Sequence, residues 1–144
     1  DLTAVVAGTS LALSRFKSQS TGGVVVNVSS MAGLAPMSFD PAYTAAKHGV
    51  VGYSRCFKHL GRKGVRVNCL APAFTDTPLV RGLLGHPQLG KAGKAAVDEL
   101  GGLIPMEVVV GGFMELVEDE ANNGAVMTVT KKGGCVPMQF PLDP

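Results

Sequence analysis

Apolar positions along the chain fall into short blocks whose period changes. Leu2, Val5, Val6, Leu11, Leu13 and Phe16 recur at a mostly helical spacing and predict a helix over residues 1–18. A polar turn over 18–23 follows. The β-branched run Val24-Val25-Val26-Asn27-Val28 then predicts a buried strand over 24–29. A helix is expected from Pro41 to Leu60, ended by Gly61 and Gly64. Val65 to Leu70 read as a second strand closed by Ala71-Pro72. Residues 78–100 should hold one or two short helices, interrupted at Gly85-His86-Pro87. A further helix is expected over 105–118 and a last strand over Gly124 to Thr130. From Gly133 the sequence CVPMQFPLDP reads as an extended or loose tail. Strand and helix alternate without internal repeat, the pattern of a parallel α/β sheet.

The chemistry gathers where the first strand ends. Ser30 stands at its carboxyl end, where open α/β sheets place their ligands. Gly33, Pro36 and Pro41 mark the loop that leads to Tyr43. The four-residue step from Tyr43 to Lys47 puts both side chains on one helix face. A free phenol is a poor base at neutral pH, and an ammonium a few ångströms away favours its phenolate. A serine hydroxyl beside the phenol can hold a substrate oxygen. Together the three suit proton transfer at an alcohol or carbonyl oxygen. Taken alone, a Y-x-x-x-K pair is more often a solvated helix face; the strand end and the loop are what make it a candidate.

Composition narrows the partners. The 144 residues carry 13 basic and 11 acidic side chains, a net charge of +2, with no basic stripe that would fit nucleic acid. Cys56, Cys69 and Cys135 are widely spaced and show no metal pattern, which points to a reducing, cytoplasmic setting. No apolar run reaches the length of a membrane span. The chain opens with Asp1-Leu2 inside an apolar helical pattern, so it reads as the carboxyl-terminal part of a single larger domain.

The sequence resembles the short-chain dehydrogenase/reductase family. The resemblance rests on NVSS, Met31-Ala32-Gly33, YTAAKHGVVG, GVRVNCLAP and FTDTPLV, and it covers nearly the whole chain. Within the family it is most similar to the 15-hydroxyprostaglandin dehydrogenase branch, through AGLAPM, KHGVVG, FTDTPLV and LVEDEANNGAVMTVTKKGG. The resemblance implies a Rossmann-type doubly wound parallel sheet, here lacking its amino-terminal βα units. It implies catalytic roles for Ser30, Tyr43 and Lys47, and a nicotinamide cofactor, NAD with NADP left open. The cofactor contacts would be Tyr43, Lys47, Pro72, Thr75, Asp76 and Thr77. Ser30 and Asp40 would meet a small-molecule alcohol or ketone, with no metal. A homodimer would form through the helices at 1–18 and 41–60.

Three positions depart from the family pattern. Asp1 replaces an asparagine of the catalytic tetrad. Asp40 stands where the branch carries a substrate-contacting glutamine, and a carboxylate there disfavours an anionic substrate. Ala73 replaces a glycine, adding a methyl beside the cofactor loop. Thr77 also fits a simpler part, the N-cap before Pro78.

Other signals have plain readings. GHPQLGKA (85–92) mimics a phosphate loop but ends in Ala92 and follows no buried strand. Asn27-Val28-Ser29 is a glycosylation sequon in a core strand. His48 reads as packing, His59 and His86 as surface residues. Glu115, Glu118, Asp119 and Glu120 form a solvated acidic cluster. Two rival functions remain: a non-catalytic α/β remnant that only folds or dimerises, and a ketone or oxoacyl reductase of the same family.

Overall fold

A computed structural model describes residues 2–141. Helix α1 (Leu2–Gln19) leads into strand β1 (Gly23–Val28), and helix α2 (Pro41–Arg55) into β2 (Val65–Pro72). The helices α3 (Pro78–Gly85), α4 (Gly90–Glu99) and α5 (Met106–Glu118) follow, then β3 (Val126–Thr130) and β4 (Gly134–Pro137). The strands lie in chain order in one sheet. β1, β2 and β3 are parallel, and β4 returns antiparallel along β3.

Helices cover both faces, and the alternation of β2 decides which residue meets which helix. Cys69 and Ala71 point to one side and join Val50, Val51 and Val126, with Leu2 and Val5 of α1 packed against them. Leu70 points to the other and joins Ile104, Leu116, Met127 and Val129, beside Val109 of α5. Each such fully buried aliphatic side chain stabilises the fold by roughly 1.5–3 kcal/mol. This is the doubly wound arrangement expected. Val50 and Val51 are 0% and 5% exposed, so they belong to the chain's own core.

Two polar devices, one buried and one half-buried, lock the layers. Thr9 Oγ1 donates to Asn27 Oδ1 at 3.0 Å, and Asn27 Nδ2 donates to Ser54 Oγ at 3.0 Å, tying α1 and α2 to β1. Asn27 is 7% exposed, in keeping with the dismissal of its sequon. On the other face Arg66 donates to the carbonyls of Leu116, Val117, Asp119 and Asn122. The Leu116 and Val117 carbonyls belong to the last turn of α5, where the helix offers them no amide, and those of Asp119 and Asn122 lie in the loop that follows.

Two boundaries differ from the sequence reading. Helix α2 stops at Arg55 instead of Leu60, and residues 58–63 tighten into a 3₁₀ turn. The bonds tighten at the helix end, Cys56 N donating to Tyr53 O and Phe57 N to Ser54 O, and Asn123 Nδ2 holds the turn beyond by donating to the Lys58 carbonyl at 2.7 Å. The stretch from Gly133 holds β4, whose Val136 carbonyl accepts from Thr128 Oγ1 at 2.8 Å. Beyond it Phe140 packs on the α1–α2 side, with the Arg55 guanidinium 3.7 Å from its ring centre. Asp1 lies outside the described residues.

Candidate active site

The site is built at the carboxyl ends of β1 and β2. Val28 pairs with Leu70 in parallel register, so the two loops leave the sheet on the same edge. Ser30, half-buried and extended (φ −165°), caps a short 3₁₀ turn over Met31–Gly33 by accepting from the Ala32 amide at 3.2 Å. The chain then loops to α2. Thr44 Oγ1 fastens that loop by accepting from the Met37 amide at 3.1 Å. Pro41, fixed in φ, begins the helix, and Asp40 Oδ1 caps it by accepting from the Tyr43 amide at 3.0 Å. The carboxylate expected to meet substrate therefore also holds the first turn, on the amide of Tyr43 itself.

One turn along, Lys47 lies over Tyr43, its Nζ 5.4 Å from the ring centre. The same ammonium donates to the Val28 carbonyl at 3.2 Å. Burial holds the Lys47 pKa below the ordinary lysine value, against a smaller opposite pull from Cys69. A cation fixed between a strand end and a phenol ring is placed to act on charge at that ring.

The lysine's backbone is held as well. Ser29, only 3% exposed, donates its hydroxyl to the Lys47 carbonyl at 2.9 Å. Gly33 closes on the same carbonyl: a Cβ there would stand 2.6 Å from it and 2.5 Å from Ser29 Oγ. Sequence reading missed both residues. The signal available was a second serine in the pair and a glycine in the turn, but neither says what it touches.

The loop after β2 is tied down by backbone. Ala73 N donates to Val129 O, Asp76 N to Ile104 O and Ile104 N to Phe74 O, at 2.8 to 2.9 Å. Pro72 is the last residue of β2 and half-buried. Thr75 Oγ1 reaches the Ala73 carbonyl at 3.4 Å. Asp76 makes two bonds to Arg81, at 2.8 and 3.0 Å, and these hold its carboxyl below the usual range. Thr77 caps α3 through the Val80 amide at 3.3 Å. Ser30, Tyr43 and Lys47 thus share one edge with the 72–77 loop, and within that loop Asp76 and Thr77 already have local partners.

The remaining polar signals lie elsewhere. His48 Nδ1 bonds the Thr44 carbonyl, and His86 Nδ1 accepts from the Gln88 and Leu89 amides. Among the described residues no group of three potential ligands could hold a metal, and no helix is long and apolar enough to cross a membrane. A cavity of about 240 Å³ lies at the amino-terminal end of β3, between Lys58, Asn123, Val126 and Phe140, away from the loops just described.

Comparison with known proteins places the chain in a family. A sequence profile described as short chain dehydrogenase matches residues 1–86. The 15-hydroxyprostaglandin dehydrogenase [NAD(+)] of Mus musculus is 32% identical over 154 aligned positions, covering 100% of this chain and 57% of the relative. That of Homo sapiens is 33% identical, covering 93% of this chain and 54% of the relative. The chain thus spans about half the length of the curated relatives it matches. Among solved structures, a levodione reductase superposes with a TM-score of 0.69 at 28% identity, over 82% of this chain and 48% of that one. A 4-hydroxyisoleucine dehydrogenase complexed with NADH shares the fold, with a TM-score of 0.67 at 21% identity over 89% and 53% of the two chains.

Proposed function

The chain belongs to the short-chain dehydrogenase family, and from that premise we propose that it forms the substrate-side part of a nicotinamide-dependent oxidoreductase. The reaction would convert a secondary alcohol, 15-hydroxyprostaglandin-like or another hydroxy compound, to its ketone. The observation that carries this is Lys47, its ammonium held between the Val28 carbonyl and the Tyr43 ring at a strand's carboxyl end.

In this reading Tyr43 takes the hydroxyl proton, and Lys47 stabilises the negative charge on the phenolic oxygen. Ser30 orients the reacting oxygen. Asp40 keeps a carboxylate three residues from Tyr43, which disfavours an anionic group at that point of the substrate. The residues suit the nicotinamide end of the cofactor: Lys47 offers an ammonium on the edge where the β2 loop also emerges, and Pro72 and Thr75 begin that loop. Asp76 and Thr77 would contribute mainly by shaping it. When bound, the nicotinamide supplies the hydride acceptor. NAD is favoured because the mammalian relatives are named for it, although a putative 2-deoxy-D-gluconate 3-dehydrogenase of similar fold holds NADP.

The wider reading is of one dinucleotide-binding domain of which these residues are the carboxyl-terminal part. Its support is the outer edge of β1, which among the described residues pairs with nothing, while Val28 beside it is 48% exposed. Three free cysteines fit a cytoplasmic setting. A homodimer through the outer faces of α1 and α2 belongs to the proposal, with Leu11 of α1 74% exposed.

Replacing Tyr43 tests the mechanism. In the intact enzyme Tyr43→Phe is expected to fold normally and lose at least about 100-fold in turnover, the usual weight of a general acid–base group. Near-normal turnover would remove Tyr43 from the chemistry.

A further inference from the structure

Ser29 has a task separate from that of Ser30. Its amide donates to the Leu70 carbonyl at 2.7 Å and so fixes the end of β1 to β2. Its hydroxyl donates to Lys47 O at 2.9 Å, across 18 residues of sequence, while the lysine's own Nζ returns to Val28 O at 3.2 Å. Lys47 is therefore held at both ends, and both holds come from adjacent residues of one strand end. A carbonyl inside a helix has an acceptor lone pair beyond the one that serves its helical bond. The serine bond uses that spare capacity, so it locates the helix without building it. Gly33 sets the approach from the other side, since any side chain there would collide with Lys47 O and Ser29 Oγ.

We propose that Ser29 is a positioning residue that acts through Lys47. Its hydroxyl fixes the depth and rotation of α2 against β1, and so the place of the ammonium between Val28 O and the Tyr43 ring. This rests on the reading of Tyr43 and Lys47 as the proton-handling pair. Placement matters there because the field of a charge at a phenol falls with distance, and misplacement of about 1 Å in a site can lower rate by about 100-fold.

Lys47 itself reports the outcome. Its ¹³Cε signal, assigned with Lys47→Arg, can be followed through a pH titration of this chain without any turnover. Burial lowers the Lys47 titration in the native chain. In Ser29→Ala the tether is gone, the ammonium gains water, and the midpoint is expected to rise toward the ordinary lysine value. Ser29→Cys, similar in size but a weak donor, should shift it the same way. In the intact enzyme Ser29→Ala should lower kcat by roughly 10-fold or more. A folded Ser29→Ala with an unmoved Lys47 titration would overturn the proposal, leaving Ser29 an ordinary buried hydroxyl. Failure of both variants to fold would also overturn it, because a residue required by the whole fold is no positioning device. The two readings fail separately. An unmoved Lys47 signal beside an inactive Tyr43→Phe removes the positioning role alone; a moved signal beside a fully active Tyr43→Phe removes the chemistry and keeps the tether.

Discussion

Cys69 and Lys47 feel each other's charge beneath the proposed site, and they titrate with opposite consequences. Burial pushes the Cys69 thiol from 9.0 up to about 11. The unfolded chain ionises this thiol near 9.0 and the folded chain resists, so there is no penalty below about pH 9 and a full one above about 11. A shift of that size corresponds to at most about 3 kcal/mol. Lys47 runs the other way: its folded pKa is lowered, so its penalty is full at low pH and fades as pH climbs toward 10.5. Between pH 7 and 10.5 the native chain should lose more stability than Cys69→Ala does, by denaturant midpoints at the two pH values. Equal losses would show that the thiol does not titrate in that range. At this scale the candidates Ser30, Tyr43 and Lys47 could be picked out from residue type, the strand end at Ser30 and the four-residue step along α2. Ser29 and Gly33 were not, because their roles exist only where a strand end meets the middle of α2.

Caps and competing partners decide where the elements begin and stop. Asp40 and Thr77 both cap helices, yet the helices differ in what they bury. α2 contributes Val50, Val51 and Ser54 to the interior, while α3 contributes no buried residue. Asp40→Ala is therefore expected to cost about 1 kcal/mol of global stability, with Asp40→Asn close to native. Thr77→Ala should leave the denaturation midpoint nearly unchanged and speed amide exchange at Val80 only. A large midpoint shift for Thr77→Ala would mean that α3 unfolds together with the sheet. Strands β1 and β2 could be read from their β-branched runs, and α3 and α4 from the Gly-His-Pro break. The end of α2 could not, because the tightening of its last bonds, Cys56 N to Tyr53 O and Phe57 N to Ser54 O, leaves no mark in residue type. β4 was hidden by its glycine and proline, which argue against a strand until β3 is there to pair with it.

The whole molecule is a three-layer piece with one side of its sheet open. A cofactor's pyrophosphate in this fold rests on a glycine-rich turn at the first helix's amino terminus, and no such turn occurs in these 144 residues. The isolated chain should accordingly bind NAD and NADP only very weakly and turn over nothing measurable. Calorimetric titration checks this, and micromolar binding with alcohol-dependent reduction would contradict it. Exposed apolar residues are more numerous on α5, at Met106, Val110, Phe113 and Met114, than on α1. Sedimentation of the intact enzyme that shows only monomer at micromolar concentration would contradict the dimer.

The open edge of β1 has one more consequence. The buried members of both apolar clusters come from β2, β3, the helices and the segment before α5, and none comes from β1. A boundary drawn along Gly23–Val28 runs beside backbone that pairs on one side, and only the half-buried Val26 of this strand packs against a cluster. Such a boundary is where a protein can be divided and rejoined. A separately made peptide bearing a further parallel strand would need only to find an edge that no strand pairs among the described residues, beside half-buried valines. Reconstitution from two pieces, dependent on that strand's register, is the behaviour this geometry prepares.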